Sequence, residues 1–433
     1  MQTSGYRATV AALAAGQLAC WAALYYGFSS FVLPMQRSAG WTAPQTMGAF
    51  TLGLGVWGAA SYAVGAAIDR GRGRAVLTLG AVLGALGMWL WSWAHTLTML
   101  GAAWAVLGAA MAMTLYEPAF SVLAKRYPRR YREGITTLTL VGGFASTLSF
   151  PAVAWLLAHL DWRSALQVIG AVLLFVVAPL HAWALRGAAV IAARPPLHAD
   201  RQSARATTVN ATGGWIGGSV AEISGRAGGD VDTDANPDAD ATLRDALHQR
   251  SFWLLAITFT LYSFAVAAVW AHIMPALAAK GRSEAQALAV VVWFGPAQVA
   301  GRFAYLLFGR RASPRVLGLI VLAGLPAALA IFALADQTAA LLLFALLFGV
   351  ANGLVTIVRG GLVPEYFGRA HVGRISGAMT SIALLARAAA PLATAWLLLA
   401  LPGYREMLLV LVAVGVAAVA AFALAGASAR SAR

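Results

Sequence analysis

Apolar residues fill this 433-residue chain in twelve long runs, which are separated mostly by very short polar connections. Each run holds about 18–25 residues, the length that an α-helix needs to cross a hydrocarbon core about 30 Å thick. The runs lack the short apolar–polar alternation that a membrane β-barrel requires. The pattern therefore predicts an all-α integral membrane protein, whose spans lie at approximately 9–33, 45–68, 75–94, 97–124, 134–158, 163–185, 251–279, 284–308, 315–335, 338–363, 374–400 and 405–427.

One connection, at 187–250, is much longer than the others. It is rich in Ala, Arg, Gly, Ser, Thr and Asp and poor in large apolar residues, a composition typical of disordered linkers. We expect a largely disordered cytoplasmic linker that ends in a short amphipathic helix at 243–250. This linker divides the chain into two domains of six spans each, at 1–186 and 251–433.

The two halves repeat each other weakly. LYYGF (24–28) is similar to LYSF (261–264), and FPAVAWLLA (150–158) is similar to APLATAWLLLA (390–400). Internal repeats of this kind place a binding site at the midplane, between two helical bundles that rock against each other. We therefore expect two pseudo-symmetric six-helix bundles with a site between them.

The charged residues are scarce and unevenly placed. The chain is 60% apolar and 11% charged, and its 31 Lys and Arg against 16 Asp and Glu give a net charge of +15. Most basic residues fall in the linker, the termini and the connections on one side. That asymmetry predicts a multi-pass protein of the plasma membrane or cell inner membrane with both termini in the cytoplasm. It favours a lipid bilayer and argues against nucleic acid as partner, since the opposite side holds only Arg37, Arg163, Lys280, Arg282 and Arg405.

Four charged residues lie inside apolar spans: Glu117, Arg302, Arg359 and Arg387. A charge at the bilayer centre costs about 2.5–3.5 kcal/mol on insertion scales, so it persists mainly where it faces a polar cavity or a partner. The four side chains therefore predict a pathway for a small charged solute. Three cations against one acid favour an anion as that solute.

The connection GAAIDRGRGR (65–74) resembles the signature G-x-x-x-D-R-x-G-R-[RK] of the major facilitator superfamily. The resemblance implies the major facilitator fold, transport by alternating access, and an inner gate formed by this connection rather than a substrate site. Physically, the first glycine permits close contact between helices. The copy departs from the signature at Arg72 and Gly73, and it matches at Gly65, Asp69, Arg70 and Arg74.

Within that superfamily the chain resembles bacterial relatives of the monocarboxylate and oxalate/formate carriers. The resemblance rests on YYGFSSF (25–31), GWTAPQ (40–45), HIMPALAAKG (272–281) and EYFGRAHVGRISG (365–377). It implies a small organic anion as substrate, moved with protons or by exchange. The lysine that monocarboxylate carriers have in span 1 is missing from GFSSFVLPM (27–35), which leaves the coupling mechanism open.

Two arginines are candidates for binding a carboxylate. Monocarboxylate carriers have an Asp-x-x-x-Arg pair in span 8, and this chain has Gln298 and Arg302 there, on one helix face. Oxalate-type carriers have a basic residue in span 11, which corresponds to Arg387. We expect both arginines to bind the substrate carboxylate, with Gln298 beside them and with Tyr25 and Tyr262 as ring-bearing lining residues. The alternative for Arg302 is that it extends to the inner membrane surface.

Three further residues are candidates for proton coupling or gating. Glu117 precedes Pro118, which predicts a kink beside a cavity, and it either carries a proton or forms a permanent salt bridge. Arg359 occupies the corresponding place in span 10, near the inner end, and is a gate candidate. His272 either relays protons or has a hydrogen-bonded structural role.

We therefore expect a monomeric secondary active transporter of a small organic anion, proton-coupled or exchanging. No catalytic residue, cofactor or metal site is expected, so the chain is not predicted to be an enzyme. The alternative function is efflux of lipophilic cations, with Glu117 exchanging protons in an aromatic cavity. A transporter-like sensor that signals through the linker is a third possibility.

Overall fold

A computed structural model describes residues 2–127, 130–186, 241–308, 313–367 and 372–431. All regular structure in these residues is helical, and twelve segments are long and apolar enough to cross a membrane. The predicted fold class and all twelve predicted spans are thereby confirmed. We number the segments as spans 1 to 12 in chain order.

The first half contains spans 1 to 6. Their helices are Gln2–Trp21 with Phe28–Ala39, then Ala43–Asp69, Gly73–Ser92, Leu97–Thr114 with Tyr116–Arg126, Tyr131–Gly142 with Ala145–His159, and Trp162–Val172 with Ala178–Ala184. Spans 1 and 6 each stay continuous through a π-helical turn, at Ala22–Tyr26 and Leu173–Val177.

The second half contains spans 7 to 12. Their helices are Arg250–Ala279, Glu284–Val291 with Phe294–Phe308, Pro314–Leu334, Thr338–Phe367, Val372–Ala400 and Tyr404–Ser431. Most of the predicted linker lies outside the described residues, but its end forms the predicted short helix at Leu243–His248. Thr242 and Asp245 close the first turn of that helix as a capping box.

Three spans are broken near their middle, and the break in span 4 lies at the fully buried Leu115. Span 4 is interrupted at Leu115, which adopts an extended conformation. Span 5 is interrupted after Gly142 and span 8 after Val291. Interrupted helices are tolerated at membrane depth only where protein or an internal cavity surrounds them. The breaks therefore indicate where the interior is polar.

We call the side of the bundles from which residue 186 leaves and to which residue 241 returns the linker side, and the opposite side the far side. Spans 1, 2 and 5 of the first half pack against spans 7, 11 and 8 of the second. Four of the hydrogen bonds that join the halves among the described residues involve a backbone atom. They are Met274 N to Ser29 Oγ (3.2 Å), Leu392 N to Thr51 Oγ1 (3.3 Å), Thr147 Oγ1 to the Val292 carbonyl (3.0 Å) and Arg302 Nη1 to the Thr139 carbonyl (2.9 Å).

Spans 2 and 11 pack closely on the far side and separate towards the linker side. A Cβ atom built on Gly48 would lie 3.6 Å from Leu392, and one built on Gly58 would lie 3.1 Å from Leu384. Gly65 is seven residues further along the same helix face, and a Cβ atom there would meet nothing within 4 Å. The expectation that Gly65 makes a close helix contact is therefore wrong for this conformation, because the two spans diverge between Gly58 and Gly65.

Candidate functional site

Arg387 lies at the interface between the halves, against aromatic rings of the opposite half. Its guanidinium carbon is 5.0 Å from the ring centroid of Tyr25 in span 1 and 5.2 Å from that of Trp57 in span 2. A desolvated cation over an aromatic ring gains about 2 kcal/mol from the ring quadrupole. These rings offset part of the cost of holding a cation at the middle of span 11.

Arg302 approaches the same interface from span 8. Its Nε donates to the Gly353 carbonyl at 3.2 Å within the second half, and its Nη1 donates to the Thr139 carbonyl at 2.9 Å in the first half. The guanidinium is thus directed into the protein rather than along the membrane surface. A guanidinium has five N–H donors, so the two carbonyl bonds leave further donors for a ligand.

The two arginines share a common neighbour, Tyr26. Both guanidinium groups interact electrostatically with its hydroxyl, and its ring packs at 4.6 Å, edge to face, on Trp270 of the second half. Tyr116 of span 4 interacts electrostatically with Arg302 as well. Arg302 and Arg387 thus both lie between the halves with Tyr26 in their electrostatic range, and their joint binding of one carboxylate stays a prediction.

The residues of the site are not fully enclosed although they lie at mid-span. Tyr26, Tyr116, Glu117, Arg302 and Arg387 are all partly exposed, and all of them face residues of the protein interior. Because these residues lie between the two halves, their partial exposure indicates a narrow gap there. The walls of this gap are aromatic, since Trp21 packs against Tyr25, Tyr26, Trp57 and Tyr116 at centroid distances of 5.0–6.0 Å.

The π-helical turn of span 1 positions the two tyrosines. In this turn the Ala22 carbonyl accepts from Gly27 N at 3.0 Å, one residue later than in an α-helix. Ser149 Oγ of span 5 donates to the same carbonyl at 2.7 Å. Such single π-turns recur at functional sites, because the extra residue redirects the side chains that follow it. Here Tyr25 reaches Arg387 while its neighbour Tyr26 packs on Trp270.

Glu117 is the acid of the site. It is the second residue of the helix Tyr116–Arg126, which starts after the break at Leu115, so its carboxylate lies at the positive end of a helix dipole. Arg387 interacts with it electrostatically across the interface. Among the described residues, no cation lies within 4.0 Å of its carboxylate, and its buried Oε2 has no hydrogen-bond partner. This geometry fits an exchangeable proton better than a permanent salt bridge.

His272 is held inside the second half. Its Nε2 lies 3.2 Å from the Pro391 carbonyl and its Nδ1 lies 3.4 Å from the Tyr404 hydroxyl. A carbonyl can only accept, so Nε2 carries the proton and Nδ1 accepts from Tyr404. Both ring nitrogens of this buried side chain are thus occupied, which supports the structural interpretation over the proton relay.

Among the described residues, the other candidates of the second half make no hydrogen bond to Arg302 or Arg387. Arg359 donates to the Thr380 hydroxyl and lies over the Phe259 ring at 5.5 Å, so it packs within its own bundle. Gln298 and Tyr262 are buried, and among the described residues the Gln298 amide nitrogen and the Tyr262 hydroxyl have no partner. The substrate-binding role predicted for these two stays a prediction.

The signature-like connection forms a tight turn at the linker side. Asp69 ends the helix of span 2, and Arg70 and Arg74 are exposed on either side of the turn. Gly71 has φ = 80°, a conformation that favours glycine. The signature has its glycine one position later, so this copy has moved the turn glycine to the preceding residue. Gly73 packs without a side chain against Val122, which explains why no arginine stands there.

Sequence reasoning missed two residues of this region, Trp57 and Gln17. Trp57 is one of 15 tryptophans, and nothing in its local sequence separates it from those that pack or anchor at the membrane surface. Gln17 donates hydrogen bonds to backbone carbonyls 97 and 98 residues away, and no local sequence pattern signals such bonds.

Twelve membrane-spanning helices in two packed halves, with charged side chains facing the gap between them, define a polytopic membrane transporter. The chain belongs to the Major Facilitator Superfamily, whose family profile it matches over residues 13–391. The family resemblance drawn from the sequence is thereby confirmed, as is the expectation that the chain is a transporter and not an enzyme.

Curated relatives and solved structures agree with this assignment. The chain is 37% identical to monocarboxylate transporter 13 of Bos taurus over 118 residues and 33% identical to monocarboxylate transporter 11 of Mus musculus over 162 residues. These matches span 27% and 36% of the chain, and the same shares of the two relatives, which is about a quarter to a third of their length.

Two solved transporters share the fold at low sequence identity. A bacterial homologue of the human lysosomal transporter Spinster, inward-facing and unoccupied, aligns with TM-score 0.71 and 14% identity over 98% of both chains. A variant of the nucleoside transporter NupG aligns with TM-score 0.70 and 12% identity over 96% of this chain and 98% of that one.

Proposed function

We propose that this protein is a secondary active transporter of small organic anions that carry one carboxylate. The observation that carries the proposal is that two guanidinium groups of the second half meet the first half at mid-span: Arg302 donates to the Thr139 carbonyl, and Arg387 lies over the Tyr25 ring. Two guanidinium groups against the single carboxylate of Glu117 give the site a positive charge. The planar fork of each guanidinium also suits the two oxygens of a substrate carboxylate. The names of the two monocarboxylate transporters support the same substrate class.

Proton coupling through Glu117 completes the proposal. An ionised Glu117 neutralises part of the field of Arg387, and a protonated Glu117 leaves that field to the substrate. Substrate anion and proton would therefore enter the site together, as symport requires. Exchange of one anion for another needs no change in Glu117 and is the alternative within this proposal.

The moving units of the proposed transporter are the two halves. We assign 1–186 to the first and 251–433 to the second, with 187–250 as the linker between them. The bond from Ala241 N to the Phe367 carbonyl at 3.1 Å argues that the end of the linker moves with the second half. The excess of basic residues on the linker side supports a cytoplasmic position for that side in a plasma or inner membrane.

Efflux of a lipophilic cation is the second candidate, favoured by the acid and the aromatic walls. Its weakness is that Arg387 already lies over the rings of Tyr25 and Trp57, which a cationic ligand would need. It would also have to bind beside two arginines. The anion is therefore the better fit to this site.

A thermal-shift screen on the purified protein separates the two candidates, because ligand stabilisation depends directly on affinity for the folded state. The anion panel is acetate, lactate, pyruvate, benzoate and phenylacetate, and each is paired with its neutral amide. The cation panel is tetraphenylphosphonium and ethidium. Stabilisation by carboxylates but not by their amides is the expected result, and stabilisation by the cations alone would overturn the proposal.

A further inference from the structure

The break in span 4 leaves a backbone carbonyl without its usual donor. In a continuous helix the Thr114 carbonyl would accept from the amide of residue 118. Residue 118 is proline, which has no amide hydrogen. A buried carbonyl without a donor is unfavourable, so this one needs a substitute.

Gln17 supplies that substitute from span 1. Its Nε2 lies 2.6 Å from the Thr114 carbonyl and 3.3 Å from the Leu115 carbonyl, and the side chain is 0% exposed. Both partners can only accept, so the amide nitrogen must face them and the orientation of the side chain is fixed. One side chain thus donates to both carbonyls at the end of the helix Leu97–Thr114, while among the described residues its own Oε1 has no hydrogen-bond partner.

We propose that Gln17 is a positioning residue for Glu117. By bonding both carbonyls at the break, Gln17 stabilises the extended conformation of Leu115, and that conformation starts a new helix at Tyr116. Glu117 consequently lies in the first turn of a helix, in electrostatic range of Arg387, instead of in the middle of a continuous helix. Among the described residues Gln17 makes no hydrogen bond to the acid, and it is fully buried.

If Gln17 serves the break, its contribution to stability must depend on Pro118. Pro118 creates the need for a donor, and Gln17 meets it. If residue 118 regains an amide, the Thr114 carbonyl regains its helical partner and Gln17 becomes dispensable. A general packing role for Gln17 would not depend on residue 118.

A double-mutant cycle of Gln17→Ala and Pro118→Ala tests this dependence by thermal unfolding of the purified full chain. Gln17→Ala is expected to lower the Tm by several degrees in the native background and by less than half as much beside Pro118→Ala. Thr9→Ala is the matched control, because buried Thr9 donates to the Ala184 carbonyl at 3.1 Å from the same span but away from the break. Its loss of Tm should be the same in both backgrounds. Equal losses for Gln17→Ala in both backgrounds would overturn the inference.

The positioning role has its own readout, which rests on the proposed proton coupling. In Gln17→Ala the pH midpoint of uptake is expected to move to higher pH, because the acid loses the helix end that stabilises its charged form. Thr9→Ala should leave the midpoint in place. An unchanged midpoint in Gln17→Ala would overturn the positioning role. If Glu117→Gln also leaves the pH profile of the native protein unchanged, the proton coupling fails instead, and the unfolding cycle still decides whether Gln17 supports the break.

Discussion

Arg302 donates a hydrogen bond to the Thr139 carbonyl at 2.9 Å, and this bond joins span 8 of the second half to span 5 of the first. The same carbonyl also accepts from Gly143 N at 3.0 Å, just before the break in span 5. The Arg302 bond lies nearer the linker side than the bonds made by Ser29, Thr51 and Thr147. A substrate carboxylate bound by the remaining donors would share the Arg302 guanidinium with Thr139, which links binding to contact between the halves.

Replacing Arg302 tests that link. Arg302→Ala should weaken substrate binding by about 1.5–3 kcal/mol, roughly 10- to 150-fold in affinity, because a charge-assisted hydrogen bond is lost. Arg302→Lys keeps the charge but not the fork, so it should bind substrate weakly as well. Uptake of radiolabelled carboxylate into proteoliposomes measures the effect, and unaltered uptake by Arg302→Ala would contradict the anion site.

Arg387 is tested separately, because it packs on aromatic rings whereas Arg302 bonds to carbonyls. Arg387→Ala should nearly abolish uptake while the protein still folds, as judged by its elution in gel filtration. Trp57→Phe keeps an aromatic ring under the guanidinium and should retain most of the activity, whereas Trp57→Ala should lower the affinity. Full uptake by Arg387→Ala would rule out a substrate role.

Glu117→Gln removes the proposed proton carrier and keeps the shape of the side chain. Net uptake should lose its pH dependence, while counterflow between internal and external substrate continues, since exchange needs no proton. Both assays use the same proteoliposomes, so each serves as the control for the other. Loss of counterflow together with net uptake would mean that Glu117 is needed for binding or for movement of the halves.

His272→Gln distinguishes a structural histidine from a proton relay. Glutamine retains a donor for the Pro391 carbonyl but cannot titrate, so the pH profile of uptake should stay the same. The imperfect replacement should cost about 1 kcal/mol of stability, measured as a lower midpoint of thermal unfolding. A flattened pH profile would assign His272 to the proton pathway.

An added methyl group should act differently at two glycines, Gly295, which packs against the first half, and Gly65, which does not contact the second half. At Gly295 of span 8, a Cβ atom would overlap the Thr147 hydroxyl and lie 2.9 Å from the Gly143 carbonyl, so Gly295→Ala should disfavour the closed far side. Gly65→Ala meets open space and should leave this conformation unchanged. Labelling of Thr51→Cys by a membrane-impermeant maleimide, in a Cys20→Ala background, reports far-side opening. Labelling should rise with Gly295→Ala and not with Gly65→Ala.

Much of the fold could be predicted from the sequence, because the length of an apolar run directly limits where a membrane helix can lie. The arginines of the site were predictable for a related reason: Arg302 and Arg387 are costly inside an apolar span unless they face a polar gap. The break in span 4 was also signalled, by Pro118. Each of these features depends on the type of one residue and on its position within an apolar run, and both can be read from a single sequence.

The rest of the site depends on relationships between distant segments. The offset that pairs Glu117 with Arg359 suggested a shared role, yet Arg359 packs on Phe259 within its own bundle. Span 10 has no proline at the equivalent place, and its helix Thr338–Phe367 runs through without a break. The π-helical turn that presents Tyr25 and Tyr26 likewise depends on Ser149 of another span. No periodicity in the chain encodes such contacts.

The divergence of spans 2 and 11 towards the linker side has a consequence for how mutations would act on transport. If the halves turn about the contact at Gly58, points on either side of it move in opposite directions, as on a lever. Gly48 lies about 15 Å from that contact along the helix and Gly65 about 10 Å on the other side. A larger side chain at Gly48 should therefore favour one orientation of the transporter, and a larger side chain at Gly65 the opposite one. A larger side chain at Gly58 should destabilise both orientations equally, which would slow the transport cycle without favouring either.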